Sequence, residues 1–321
     1  MRQYAHHLFT QVTMHILNAC LTAQAIPYSA LVPAIARAAQ ERAAAQILAP
    51  ERMVVPIDDD SVLLCMPALG ADLGVTKLIT VHGDNARHGL PAIQGEVLVF
   101  ERATGKRLAM LDGPTVTARR TAAVTLLGIE HLLPGRPVSA LIIGTGVQAA
   151  AHVDALVDYF NVSEFWIAAR TNAGAQDFCQ AASARHPSAT WHHMTVGSLS
   201  SHAPDTDLLI ALTTSRTPVI PSFIGPNTLA IGVGAFKPEM AEFPAALLNS
   251  RQIVVDDLEG ARHEAGDLLQ ANIDWTGVLT LADVVNGRFR RDGALPLFKT
   301  VGQASWDLAA ARVALAQLAS S

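Results

Sequence analysis

Charge, aromatic side chains and cysteine are scarce in this chain: 16% of its 321 residues are charged, 5% are aromatic, and three are cysteine. Cys20, Cys65 and Cys179 are odd in number and widely spaced, which suits reduced thiols in cytoplasm better than a disulfide framework. Neither Cys65 nor Cys179 has a histidine or second cysteine beside it in sequence, which argues against a nucleophile. Basic runs are absent and the net charge is −5, so nucleic acid is not expected as a partner. No window reaches the ~18 to 20 uninterrupted apolar residues of a membrane span. The segment Met1-Arg2-Gln3-Tyr4-Ala5-His6-His7 lacks a basic region followed by an apolar stretch, so a secretory signal is not expected there. Low-complexity sequence is also sparse. With 50% hydrophobic residues, the chain has enough apolar surface for a large core and two domains.

What is present is ordered. The apolar, β-branched run at 138–143 enters Gly144-Thr145-Gly146-Val147-Gln148-Ala149, a G-x-G-x-x-A turn, and an amphipathic stretch follows at 150–157. Strand, glycine turn and helix in this order make a dinucleotide-binding βαβ unit. Gly144 permits the tight turn, Gly146 lets backbone approach a pyrophosphate, and Ala149 keeps helix close to strand, with the phosphates at a helix N-terminus. The next strand, 164–169, ends at Ala169 and runs into Arg170-Thr171-Asn172, 26 positions after Gly144. No carboxylate stands there for the ribose 2′-hydroxyl of NAD. Arg170 and Thr171 instead offer a guanidinium and a hydroxyl to a 2′-phosphate, so NADPH is expected ahead of NADH. The bland alternative for Arg170 is a solvated charge at a strand end.

From 138 to 257 strand-like segments at 139–143, 165–169, 191–196, 207–212, 229–233 and 253–256 alternate with helical ones such as 173–184 and 243–248. That alternation predicts a Rossmann-type doubly wound parallel sheet. Before it, a helix at 28–46 and strands at 53–57, 61–66, 73–81, 96–100 and 107–111 predict a smaller α+β domain. Asp112-Gly113-Pro114 marks its boundary, followed by a connecting helix at 115–133. A strongly apolar helix at 306–318 needs a surface to cover it and is expected to return to the first domain. The expected division is therefore 1–114 with 304–321, for substrate and dimerisation, and 115–303 for the dinucleotide. Strand edges and an apolar face in the first domain make a homodimer the expected assembly.

Five motifs taken together resemble the ornithine cyclodeaminase and μ-crystallin family. They are Gly74-Val75-Thr76-Lys77-Leu78, Asp112-Gly113 with Thr117-Ala118-Arg119-Arg120-Thr121-Ala122-Ala123, the Gly144 turn, Gly232-Val233-Gly234-Ala235-Phe236-Lys237-Pro238-Glu239-Met240, and Phe298-Lys299-Thr300-Val301-Gly302. They fall in family order across nearly the whole chain. The resemblance implies a substrate between the two domains, with Arg52, Lys77 and Arg120 around its α-carboxylate and Arg120 also near the cofactor pyrophosphate. It extends the cofactor set to Thr121, Thr213, Thr214, Val301 and Gly302, and brings His82 and Ala235 to the substrate. Two guanidinium forks and an ammonium suit a carboxylate, at about 1.5–3 kcal/mol per charge-assisted hydrogen bond. Lys77, inside the apolar run 75–81, is also the kind of buried ammonium that needs a partner.

One departure discriminates within the family. Ornithine cyclodeaminases carry an aspartate where Ala235 stands, and the pattern here looks more like the family's ketimine reductases. The resemblance thus implies NADPH-dependent hydride transfer to C2 of Δ1-pyrroline-2-carboxylate or Δ1-piperideine-2-carboxylate, giving L-proline or L-pipecolate. Cyclodeamination, alanine dehydrogenation and non-catalytic ligand binding are the alternatives. No general acid stands out. His82, Asp84, Asn85 and His88 match no metal spacing, so no metal is expected. Thr213 and Thr214 end a strand, where an ST-turn is the competing account, and Glu242 reads as a cap for the helix that follows.

Overall fold

The computed structural model describes residues 14–59 and 61–320. The Met1–His7 segment read above for a secretory signal lies outside the described residues. Two sheets organise the rest. The first holds β1 (His15–Leu17), β2 (Met53–Pro56), β3 (Ser61–Leu69), β4 (Leu73–His82), β5 (Ile93–Glu101) and β6 (Arg107–Asp112), in the order β1-β6-β5-β4-β3-β2. All pairs are antiparallel except β1 with β6. Side chains alternate between faces along each strand. Val75, Lys77 and Ile79 of β4 point inward and are buried, whereas Leu78 is exposed. Register puts Met66, Lys77, Val97 and Leu111 in one row across the inner face, so a lysine occupies a place otherwise taken by apolar side chains.

Helices α1 (Ala19–Ala25) and α2 (Tyr28–Ala43) belong to this part of the chain, and α3 (Gly113–Leu132) leaves it. The expected boundary at Asp112-Gly113-Pro114 is not a linker. The Asp112 carboxylate accepts the Thr115 N–H at 2.8 Å, so β6 runs directly into a capped helix with proline in its first turn. Buried on most sides, α3 packs against α2, α4 (Val147–Phe160) and both sheets.

The second sheet begins with β7 (Ser139–Ile143), which leads through α4 to β8 (Glu164–Ala169), α5 (Asn172–Arg185), β9 (Thr190–Thr195), α6 (Leu199–His202) and β10 (Leu208–Ala211). It continues with β11 (Leu229–Gly232), α7 (Ala245–Leu248), β12 (Ile253–Val255), α8 (Leu258–Glu264), α9 (Gly266–Gln270), β13 (Leu279–Thr280), α10 (Leu281–Val285) and β14 (Leu297–Lys299). The strand order is β13-β12-β14-β11-β10-β7-β8-β9 and every pair is parallel. This is an α/β protein with a Rossmann-type doubly wound sheet. The order reverses between β7 and β10, and a ligand crevice opens at the carboxyl ends of strands beside such a switch point.

Two differences from the sequence reading have physical causes. β14 sits in the sheet between β11 and β12, yet at three residues ending in lysine it has no readable period. β1 and α1 precede the first predicted helix and were too short to detect. The terminal helix α11 (Ala304–Ser320) lies against α2, α3, β3 and β4. It covers the inner face of the first sheet, which explains its apolar composition. Among the described residues no single helix is long and apolar enough to cross a membrane.

Candidate active site

A cavity of about 210 Å³ lies between the inner face of the first sheet and the carboxyl ends of β10, β11 and β14. Leu64 and Met66 of β3, Ile79 and Val81 of β4, and Ile93 of β5 form an apolar wall. The opposite side is Thr213, Thr214, Val233, Gly234, Val301 and Gly302, from the loops at the sheet's carboxyl edge. Arg52, Lys77 and Arg120 are the charged residues that line it, and no lining residue is acidic. Such a cavity is built to accept an anionic, otherwise apolar small molecule.

The three cations arrive by different routes. Lys77 comes from the middle of β4 and is 1% exposed; its Nζ lies 3.1 Å from Oδ1 and 3.0 Å from Oδ2 of Asp307 on α11. Burial lowers its pKa to about 8; Asp307 opposes that shift, and the positive charges of Arg120 and Arg52 add to it. Arg120 is carried by α3. Its Nε lies 3.5 Å from Asp307 Oδ1, too long for a hydrogen bond, and burial lowers its pKa although a guanidinium keeps its proton. Arg52 stands just before β2, where its Nη2 donates to Glu264 Oε2 at 2.7 Å, to the Gly302 carbonyl at 2.7 Å and to the Val301 carbonyl at 3.2 Å.

Asp256 holds the turn that receives Arg52. Its carboxylate accepts the N–H groups of Val301 and Gly302, both at 2.9 Å, and the indole N–H of Trp306 at 3.3 Å. On the other side Glu242 is wholly buried. One of its oxygens takes the Thr213 N–H at 2.7 Å and hydroxyl at 3.1 Å, and the other takes the N–H groups of Gly234 at 2.7 Å and Ala235 at 3.2 Å. Burial raises its pKa, while Lys299 and these donors pull it down. Glu242 therefore ties two cavity loops together, and does not cap α7, whose N-cap is Pro244. Gly234 is needed for this closeness: a Cβ there would stand 1.9 Å from the Thr213 carbonyl oxygen.

The glycine turn fits a dinucleotide. Gly144 has φ +118°, and a Cβ on it would lie 2.7 Å from the Leu212 carbonyl oxygen across the switch point. Gly146 is the N-cap of α4, and no side chain caps the helix. Thr145, Gly146 and Val147 are exposed, so the first-turn N–H groups are open to an anion. Buried His152, its pKa lowered to about 4 by burial, joins this turn to α3: Nδ1 meets the Gln148 carbonyl at 2.8 Å and Nε2 the Thr125 hydroxyl at 2.9 Å.

The cavity unites nine of the residues singled out in the sequence: Arg52, Lys77, Arg120, Thr121, Gln148, Thr213, Thr214, Val301 and Gly302. Gly144, Thr145, Gly146 and Val147 form the adjoining turn. Ala169 ends β8, followed by exposed Arg170 and by Thr171, whose hydroxyl accepts the Gly174 N–H at 3.2 Å as the N-cap of α5. His82 and Ala235 do not line the cavity. His82 ends β4 opposite Ser61, and Ala235 is buried with its N–H on Glu242. Thr213 does form the ST-turn weighed against a ligand role, accepting the Ser215 N–H at 3.4 Å, although its own hydroxyl proton goes to Glu242.

Asp256, Glu264, Asp267 and Asp307 escaped the sequence reading, and Lys299 entered it only as part of a motif with no role assigned. Asp307 between Trp306 and Leu308, and Lys299 between Phe298 and Thr300, carry the signal that marked Lys77, a lone charge against apolar residues, whereas Asp256 and Glu264 sit among other polar and charged residues and gave no such sign.

Several known proteins are similar to this chain along nearly its whole length. A reductase from Burkholderia multivorans (strain ATCC 17616 / 249), Delta(1)-pyrroline-2-carboxylate reductase 1, is 45% identical over 306 residues, covering 95% of this chain and 96% of that protein. The Delta(1)-pyrroline-2-carboxylate/Delta(1)-piperideine-2-carboxylate reductase of Azospirillum brasilense is 44% identical over 305 residues, with 95% and 96% covered. Among solved structures, Thermococcus litoralis Delta(1)-pyrroline-2-carboxylate reductase in complex with NADH and L-proline superposes with a TM-score of 0.86 at 25% identity, over 96% of this chain and 98% of that one. Residues 14–321 match the profile of one family along their whole length, cation-lined cavity and glycine turn included: the chain belongs to the ornithine cyclodeaminase/mu-crystallin family.

Proposed function

We propose that this protein reduces the cyclic ketimines Δ1-pyrroline-2-carboxylate and Δ1-piperideine-2-carboxylate to L-proline and L-pipecolate, with NADPH as the preferred cofactor and NADH as a weaker one. The carrying observation is a cavity whose charged lining is three cations against an apolar wall. Arg52, Lys77 and Arg120 take the carboxylate and fix the ring by that end, while Leu64, Ile79, Val81 and Ile93 shelter its methylenes from water. Anchoring the substrate in this way supplies orientation, the main lever a site without a nucleophile has on rate. The bound nicotinamide supplies the hydride for the imine carbon. The Gly144 turn and the open N-terminus of α4 would hold its pyrophosphate, with Thr121, Gln148, Thr213, Thr214, Val301 and Gly302 around the remainder. Exposed Arg170 with Thr171 supports a 2′-phosphate at the end of β8.

Residues 1–114 with 304–321 serve as the substrate and dimerisation domain, and 115–303 as the dinucleotide domain. Exposed Ile16, Leu78 and Leu98 on the outer face of the first sheet support a homodimer. Three free cysteines support a cytoplasmic setting. The deciding assay follows NADPH oxidation with the two cyclic imines, with NADH, pyruvate plus ammonia, and ornithine in parallel. Turnover of an imine is expected. Activity confined to ornithine or pyruvate would overturn the assignment, and silence with every substrate would favour a ligand-binding role.

A further inference from the structure

Arg52 stands between two spaces. One is the cation-lined cavity; the other is a pocket of about 50 Å³ lined by Glu51, Met66, His263, Glu264 and Gly302. Every hydrogen bond that Arg52 makes within the described protein leaves from Nη2, to Glu264 and to the carbonyls of Val301 and Gly302. That choice of nitrogen matters. A guanidinium grips a carboxylate bidentately along the Nη1/Nη2 edge or the Nε/Nη2 edge, and Nη2 belongs to both. With Nη2 held by Glu264, an arriving carboxylate gets a single bond from Nη1 or Nε, or else takes the place of Glu264.

We propose that Glu264 is a positioning residue for the substrate carboxylate: it holds Arg52 in place through Nη2 and gives it up to the ligand on taking a proton from solvent. The proposal rests on Arg52 being a carboxylate ligand, as assigned above. The surroundings of Glu264 favour the exchange. Burial raises its pKa to about 7; Arg52 opposes the shift, and the carboxylates of Asp256, Glu51 and Asp257 reinforce it. His263 and Glu259 share α8 with it, Glu259 pairs with Arg42 of α2 at 3.1 Å, and Lys77, paired with Asp307, and Arg120 line the cavity that Arg52 also lines. Ionised Glu264 competes for the guanidinium above this pKa; neutral Glu264 competes weakly below it. Carboxylate affinity therefore rises as pH falls through about 7, and binding at higher pH draws one proton from solvent.

The test uses 2-furoate, a planar five-membered-ring carboxylate with no group that titrates near neutrality, and isothermal titration calorimetry of the full chain with oxidised cofactor present. Between about pH 7 and about pH 8 its dissociation constant is expected to rise by up to about tenfold, with uptake of up to one proton measured from buffers of different ionisation enthalpy. Glu264→Gln is expected to keep only the shallower pH dependence and partial proton uptake that Lys77 contributes as it nears its own pKa of about 8, while Glu264→Asp retains the full dependence and uptake. His263→Gln should leave the dependence intact, and the difference between the unmodified protein and Glu264→Gln isolates the share of Glu264 from that of Lys77. No proton uptake by the unmodified protein, or an unchanged pH profile in Glu264→Gln, would overturn the proposal. Arg52→Gln separates the two readings. If it leaves 2-furoate affinity unaltered, Arg52 is not a carboxylate ligand and the premise fails; if it weakens binding while Glu264→Gln keeps the wild-type profile, the role of Glu264 alone is wrong.

Discussion

Asp307→Asn is the most informative single change, because one wholly buried carboxylate serves two of the three cavity cations. Asparagine keeps the shape and removes the charge. Lys77 can respond by losing its proton. Its pKa of about 8 already lies near the ambient value and Asp307 is the influence that raises it, so the substitution moves it lower. Once Lys77 is neutral its penalty stops growing, which limits its share of the stability loss near pH 7.5 to about 1 kcal/mol. Arg120 has no such escape, and a buried guanidinium deprived of its counter-charge costs about 1–3 kcal/mol more. The variant should therefore unfold about 2–4 kcal/mol more easily while remaining folded at room temperature. Activity should suffer in another way. On the proposed role of Lys77, its neutral form no longer holds the substrate carboxylate, a contact of about 1.5–3 kcal/mol, so KM near pH 7.5 should rise roughly ten- to a hundredfold. The distinguishing sign is recovery at lower pH, where Lys77 regains its proton. Steady-state KM measured across pH, with thermal unfolding in parallel, reads both effects. A KM raised equally at every pH, or unchanged beside a lowered melting temperature, would refute this account of Asp307.

Three other substitutions probe separate parts of the site. Lys77→Ala should abolish imine turnover while leaving NADPH affinity, measured by fluorescence titration, within several-fold; equal damage to both would contradict a substrate contact. Arg170→Ala should raise the KM for NADPH far more than that for NADH, through loss of a phosphate partner, and an unaltered cofactor ratio would remove Arg170 from the specificity site. Gly234→Ala would force a methyl group into the Thr213 backbone, since the Cβ would lie 1.9 Å from its carbonyl oxygen and 2.4 Å from its nitrogen. It should cost more than about 3 kcal/mol by thermal or urea unfolding, and a fully stable variant would show that this loop can move.

Much of this was legible in the chain because the informative signals were local. The run from Val138 to Ala149 carries strand, turn and helix within a dozen residues, and the β7–α4 unit follows it closely. Lys77 declared itself by being charged in an apolar strand. The alternating pattern of β4 gives the inward direction of its side chain, but not what it meets there. Asp307 is 230 residues further on, and nothing local links the two. Glu242 illustrates the same limit. A carboxylate just ahead of a helical stretch has the sequence signature of a cap, and its four bonds to Thr213, Gly234 and Ala235 depend on loops that only the parallel sheet brings side by side. β14 was hidden for a different reason: buried on both faces and three residues long, it offers no alternation to detect.

The placement of Asp307 also sets an order of events during synthesis. Lys77 and Arg120 are translated long before it, so the emerging first sheet and α3 face each other with two cations and no counter-ion between them. Those charges should keep water between β4 and α3 and delay closure of the apolar row of Met66, Val97 and Leu111 into a dry core. The part of the second sheet from β7 to β11 is built of successive strand–helix units and can form in the meantime, whereas β12 and β13 join it only through β14, made just before α11. Arrival of α11 then does two things in one step, covering the sheet and neutralising the pair. A nascent chain halted before Ala304 should accordingly keep its first half loosely packed and open to proteases while the glycine turn beyond it is already shaped.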